Sequence, residues 1–218
     1  VIPKRLHRVW LDDPLPDEFA GYGRRLVELH SGWEVREWRY TADLPPLCNQ
    51  GLFDRAQQLC PRDWKRFRSD LLRLELLWLY GGIYVDCDVE PLKPFDPLLG
   101  CEAFVVWSPN RHRGGRVLTQ AVIGAAAQHP FVAACIAAAA GSVERHGGKP
   151  LAQVVGPHMV QRVFESGEWP GVLALPEQTF GPQSIRDRDA GRPVDLDGAL
   201  GWHHWANSRD RRHGGVEA

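Results

Sequence analysis

The 218-residue chain has little excess of either charge: 26 Lys and Arg stand against 27 Asp and Glu, a formal net charge of -1. That balance gives no electrostatic footprint for nucleic acid as a partner. Cysteines are few and odd in number, Cys48, Cys60, Cys87, Cys101 and Cys135, with no Cys-x-x-Cys pair among them. This spacing excludes a zinc ribbon and a disulfide framework, and mostly buried reduced thiols are expected. No apolar run reaches the roughly 20 residues that cross a bilayer; the alanine-rich run at 131–140 is of helix-core length. No signal-like start, repeat or linker is readable. The expectation is one α/β domain over residues 1–218, without a transmembrane segment, in the cytoplasm. Tryptophan, by contrast, is plentiful, with nine residues. Most are expected in the core or its rim, with one or two stacking on a flat ligand ring.

Residues 66–96, RFRSDLLRLELLWLYGGIYVDCDVEPLKPFD, organise the rest. Trp64, Phe67, Leu71, Leu74 and Trp78 step by three and four, which predicts one buried helical stripe. Asp70 and Arg73 are three apart and share another face of that helix. Gly81-Gly82 supplies a helix stop, since glycine tolerates the left-handed backbone of a C-terminal cap. Ile83-Tyr84-Val85 reads as a strand. Asp86 and Asp88 follow at period two, which predicts both carboxylates on one side and Cys87 on the other. Two such carboxylates repel unless neutralised, and a divalent cation with oxygen ligands does this well.

Along the chain, residues 6–10 alternate and read as a first strand ending near Trp10, where an open α/β sheet binds ligands. Asp17 is expected to cap a helix to about His30. A strand is expected over 33–38, a loop over 41–46 and a short helix over 52–59. Val89 to Pro94 is proline-interrupted and reads as an edge or loop. A buried strand is expected over 104–107, then a polar loop over 108–116. Val117 to Ala127 has strand character in its first half. Helices follow at about 131–146 and 157–166, a strand at 172–175, an irregular segment at 176–193, and a charged, frayed tail at 209–218.

Four segments carry a resemblance: IPKRLHRVW (2–10), RSDLLR (68–73), GGIYVDCDVEPLKP (81–94) and HHWANS (203–208). They resemble, in order, the motifs of the DXD-motif sugar transferases of glycosyltransferase family 32, which includes fungal α-1,6-mannosyltransferases and bacterial capsular-polysaccharide enzymes. The core is also similar to that of the clostridial glucosylating toxins. The resemblance implies a GT-A-like, Rossmann-type fold with a mixed, mostly parallel sheet. It implies that Asp86 and Asp88 meet the ribose and a divalent metal on the donor diphosphate. Asp70 and Arg73 would hold the donor sugar, Tyr84 would line the nucleotide pocket and Trp10 would stack on the base. His203, with His204 as the adjacent candidate, would complete the metal or diphosphate site. Gln120 stands where an asparagine is usual. Ser208 matches the serine of a Ser-Trp pair, but Arg209 replaces the tryptophan.

The implied activity is transfer of a hexose from a nucleotide diphosphate sugar to an acceptor hydroxyl, with retention. UDP-glucose, UDP-GlcNAc, UDP-galactose and GDP-mannose are the candidate donors, because stacking on Trp10 tolerates any base. Manganese is the expected ion, with magnesium as the alternative, since a histidine ligand tilts the choice. A metal-dependent sugar-nucleotide hydrolase and a non-catalytic nucleotide-sugar-binding relative are the rival readings.

Overall fold

The computed structural model describes residues 1–109, 115–183 and 190–206. Strands β1 (Arg5–Val9), β2 (Glu34–Trp38), β3 (Gly82–Val85), β5 (Ala103–Pro109), β6 (Arg116–Ala125) and β7 (Val172–Leu175) form one sheet in the order β2-β1-β3-β6-β5-β7. The pairs β1–β2, β1–β3 and β5–β7 are parallel, and β6 runs antiparallel to both β3 and β5. The sheet is therefore mixed and mostly parallel, as a GT-A-like fold requires. A separate two-stranded ribbon pairs β4 (Val89–Pro91) with β8 (Gly201–His203).

Period-two alternation sorts β3 and β5 onto two cores, and the register shift between β5 and β6 puts Leu118 and Ile123, five residues apart, on one side. Tyr84, Val105, Leu118 and Ile123 face one side. That side is covered by α4 (Trp64–Tyr80), α5 (Pro130–His146) and α7 (Pro157–Ser166), with the short helices α2 (Gln50–Asp54), α3 (Ala56–Leu59) and α6 (Leu151–Val154). Ile83, Val85, Phe104 and Val106 face the other, where Leu26 of α1 (Asp17–Leu29), Phe95 and Phe180 close it. Each fully buried Leu or Phe contributes roughly 1.5–3 kcal/mol. Surface ion pairs such as Arg25–Glu28 contribute a few tenths, so burial decides where the helices lie.

Helix α4 is buried all round from Asp70 to Leu77, not along one stripe. It therefore carries Asp70 and Arg73 inside the protein. Its stop is as the sequence requires. Gly81 has φ +62° and its N–H donates to Leu77 O. A Cβ there would meet Ala127 N at 2.6 Å, and one on Gly82 (φ +108°) would meet Arg5 O at 2.5 Å. Only glycine lets α4 turn into β3 beside β1.

Several expectations need correction. Pro16, not Asp17, occupies the cap position of α1 and no side chain caps it; Asp17 and Glu18 sit in the first turn, where the helix dipole favours them. The helix at 52–59 is broken at Arg55 into α2 and α3. Strand β6 runs through to Ala125 because its second half pairs with β3. Residues 89–91 are an edge strand, one of the two alternatives expected there. Of the five free cysteines only Cys87 and Cys135 are buried, and Cys48 is exposed. No helix of the described residues is long and apolar enough to cross a membrane.

Candidate active site

The strand ends of β1, β3, β5 and β6 open onto a cleft of about 610 Å³. Trp10, Asp70, Arg73, Asp86, Asp88, Gln120 and His203 all contribute to its wall. The sequence-derived candidates from five separate elements thus converge on one place.

Asp86 and Asp88 do not alternate along a strand. Strand β3 ends at Val85 and the chain turns, with Val89 N donating to Asp86 O at 3.1 Å. The turn, not the pleat, brings the two carboxylates together. Asp86 Oδ1 accepts from Tyr84 Oη at 2.8 Å and lies 3.3 Å from Arg73 Nη1. Asp88 Oδ2 accepts from Ala206 N at 2.9 Å, and Oδ1 lies 3.3 Å from His203 Nε2. Burial resists ionisation of Asp88. The His203 imidazole and the Ala206 N–H outweigh it and hold the carboxyl at about 2.

Arg73 ties the helix to the turn. It pairs with Asp70 at 2.8 Å, donates from Nη1 to Gln120 O at 2.5 Å and lies over the Tyr84 ring at 4.5 Å. Burial opposes its charge, but Asp86 foremost among its neighbours holds its pKa above the ordinary value. Asp70 has the reverse balance. Burial pushes its carboxyl up to about 6, against the pull of Arg73 and Arg66.

Other candidates sit differently from their expected roles. Tyr84 is fully buried behind Asp86, outside the cleft wall. Its hydroxyl orients that carboxylate, and burial raises its pKa far above the usual range. Trp10 packs edge-on against Phe19 at 5.6 Å, its Nε1 donates to Pro14 O at 3.0 Å, and its ring forms part of the wall. Gln120 donates to Val155 O at 3.4 Å, and its buried Oε1 has no partner among the described residues. His204 turns away from the cluster to Glu90 at 2.9 Å and stacks on Trp202 and Tyr22. Ser208 and Arg209 lie outside the described residues.

Two residues escaped the sequence reading. Arg8 is fully buried on β1 and reaches the carboxylate turn; its signal was a cation two residues from Leu6, on the same face of the strand. Ser69 Oγ lies 3.4 Å from both Tyr84 Oη and Arg73 Nη2, and no spacing rule marked it.

Among the described residues, Asp86, Asp88 and His203 offer three ligand atoms within 4.8 Å of one another. Two carboxylates and one imidazole fit a divalent ion such as manganese, while calcium takes oxygen ligands. No protein bond among the described residues engages Asp86 Oδ2, so that oxygen is left for a cation.

Residues 16–105 match the family profile described as a glycosyltransferase sugar-binding region containing a DXD motif. Over 138 residues the chain is 29% identical to inositol phosphoceramide mannosyltransferase 3 of Schizosaccharomyces pombe, which covers 60% of this chain and 35% of that protein. The chain spans about a third of the length of the curated relatives it matches. Among solved structures, the PaToxG glycosyltransferase superposes with a TM-score of 0.53 at 17% identity, covering 76% of this chain and 69% of that one. The UDP-bound glycosyltransferase domain of the YGT toxin gives 0.52 at 12% identity, covering 90% and 88%. At such identities these two likenesses show the fold alone. Residues 16–105 are thus similar to a glycosyltransferase sugar-binding region containing a DXD motif, and the sheet around them is GT-A-like.

Proposed function

We propose that this chain transfers a hexose from a nucleoside diphosphate sugar to an acceptor hydroxyl, with a divalent metal ion. The observation that carries the reading is the convergence of Asp86, Asp88 and His203 on one cleft with the buried Asp70–Arg73 pair. The similar proteins support it: one is a mannosyltransferase and another a glycosyltransferase domain bound to UDP.

In the reaction the bond from the anomeric carbon to the phosphate oxygen breaks, and its electron pair goes to the departing diphosphate. The acceptor oxygen bonds to the anomeric carbon and gives up its proton, for which the departing phosphate oxygen is the base. Asp86, Asp88 and His203 would hold the metal ion, which supplies positive charge against the diphosphate. Arg73 keeps Asp86 in place and balances its charge. Asp70, on a rigid helix, accepts hydrogen bonds from sugar hydroxyls. Trp10 stacks on the base, whether uracil or guanine. This front-face course retains the anomeric configuration, and an inverted product seen by NMR of the anomeric proton would rule it out.

The test is hydrolysis of a panel of UDP- and GDP-sugars with manganese, magnesium or EDTA, run beside Asp86→Asn/Asp88→Asn. Slow, metal-dependent release of one nucleoside diphosphate, lost in the variant, is expected and names the donor. No release from any donor and no metal binding would overturn the reading in favour of a binding protein. Free sugar formed at one rate with and without a range of acceptors would favour a hydrolase.

A further inference from the structure

Arg8 sits on β1 with its side chain fully buried, on the α1 side of the sheet. Its Nη1 donates to Glu37 on β2, the residue directly beside it in register. Its Nη2 donates to Phe19 O of α1 at 2.8 Å and to Cys87 O at 3.1 Å. Cys87 is the residue between Asp86 and Asp88. A Cβ on Gly23 of α1 would collide with Arg8 Nη1 and lie 2.7 Å from Glu37 Oε1, so this helix position admits the ion pair only as glycine.

We propose that Arg8 is a positioning residue for the Asp86–Asp88 turn, fixing the Cys87–Asp88 peptide so that the two carboxylates share one cation. This rests on the metal-site reading above. The turn's own bond uses Asp86 O and Val89 N, which leaves the Cys87 carbonyl for a partner outside the turn. Arg8 is that partner, and Cys87 Sγ adds a second tie to β1 at Val9 O, 3.6 Å away. Rotation of the Cys87–Asp88 peptide would swing Asp88 away from Asp86 and His203. A buried guanidinium is costly unless its hydrogen bonds are well made; here three bonds go to two backbone carbonyls and one carboxylate, and only Nε is without a partner among the described residues. Arg8 lies outside the cleft wall, so it acts through the turn and not on substrate.

The experiment compares wild type with Arg8→Met/Glu37→Met, which removes both charges and leaves neither orphaned, and with Arg8→Gln, which keeps an amide donor. Manganese affinity is read by titration against the EPR signal of the free ion, and turn anchoring by exchange of the Val89 amide hydrogen. The double variant is expected to bind manganese at least tenfold more weakly, the size of loss typical when support around a ligand is removed. Its Val89 amide should exchange faster, and Arg8→Gln should recover part of both effects. Faster exchange with unchanged affinity, or weaker affinity with unchanged exchange, would overturn the positioning role, as would no change in either. If the wild type binds no manganese, the metal-site reading itself falls and takes this inference with it. Should the double variant not fold, Arg8→Gln and Gly23→Ala carry the same two measurements, the latter by displacing the guanidinium.

Discussion

Asp88 Oδ1 and His203 Nε2 lie 3.3 Å apart, and the pairing of β4 with β8 is what brings them there. Val89 is in register with His203, so the residue after the turn meets the C-terminal strand directly. The neighbouring His204 donates its backbone N–H to Asp88 O at 3.0 Å and points its ring elsewhere. One ribbon thus sorts two adjacent histidines into two surroundings.

His203→Ala and His204→Ala are therefore expected to differ in kind. Loss of His203 should weaken manganese binding about 10- to 100-fold. Loss of His204 should leave manganese affinity within a few-fold and cost about 1 kcal/mol of stability, from its Glu90 bond and ring stacking. Calorimetric metal titration and urea unfolding of both variants check this, and equal loss of affinity would refute the assignment.

Asp70 is expected to show in pH profiles. Its folded-state pKa of about 6 lies above the unfolded value near 3.8. Its contribution to stability is fully present below the unfolded value and is lost as pH rises through 6. Relative to Asp70→Asn, the wild type should lose on the order of 3 kcal/mol between about pH 4 and 7. Donor hydrolysis should rise through the same range as the carboxylate forms, and Asp70→Asn should lose both the rise and most of the rate. Urea unfolding across pH, with parallel rates, tests both.

His7 works in the opposite sense. Trp38 Nε1 donates to its Nδ1 at 3.2 Å, so the proton sits on Nε2, which donates to Gly81 O at 2.9 Å. Burial lowers its pKa to about 4. Its contribution is present above the unfolded value near 6.5 and is lost as pH falls through 4. His7→Phe should be less stable than wild type at pH 7 but should flatten the acid limb between about pH 6.5 and 4. An unchanged acid limb would show that His7 is not the group being titrated.

Gly82→Ala is expected to destabilise by about 2–4 kcal/mol, because its φ is +108° and a Cβ would lie 2.5 Å from Arg5 O, a backbone atom with no room to move. Exposed Gly32, which has φ +80° but open space around it, should lose only about 1 kcal/mol on the same change. Thermal unfolding of the two variants, with equal losses, would contradict the close approach of β3 to β1.

What the sequence determined by itself was local. Periodicity marked α4 and Gly81-Gly82 marked its stop, while the grouping of Asp70, Arg73, Asp86 and Asp88 with the His203-His204 pair came from the resemblance of four segments to a known family. These signals survive in one dimension because helix periods, turn residues and motif spacings are set within a few residues. Tertiary structure alone decided the rest. It made Asp86–Asp88 a turn and not an alternating strand, placed Tyr84 behind Asp86, chose His203 over His204 through the β4–β8 ribbon, and buried Arg8 against Gly23 and Cys87. Each of these depends on residues brought together from distant parts of the chain. No period or propensity records such a contact; it exists only once both sides of the sheet are packed.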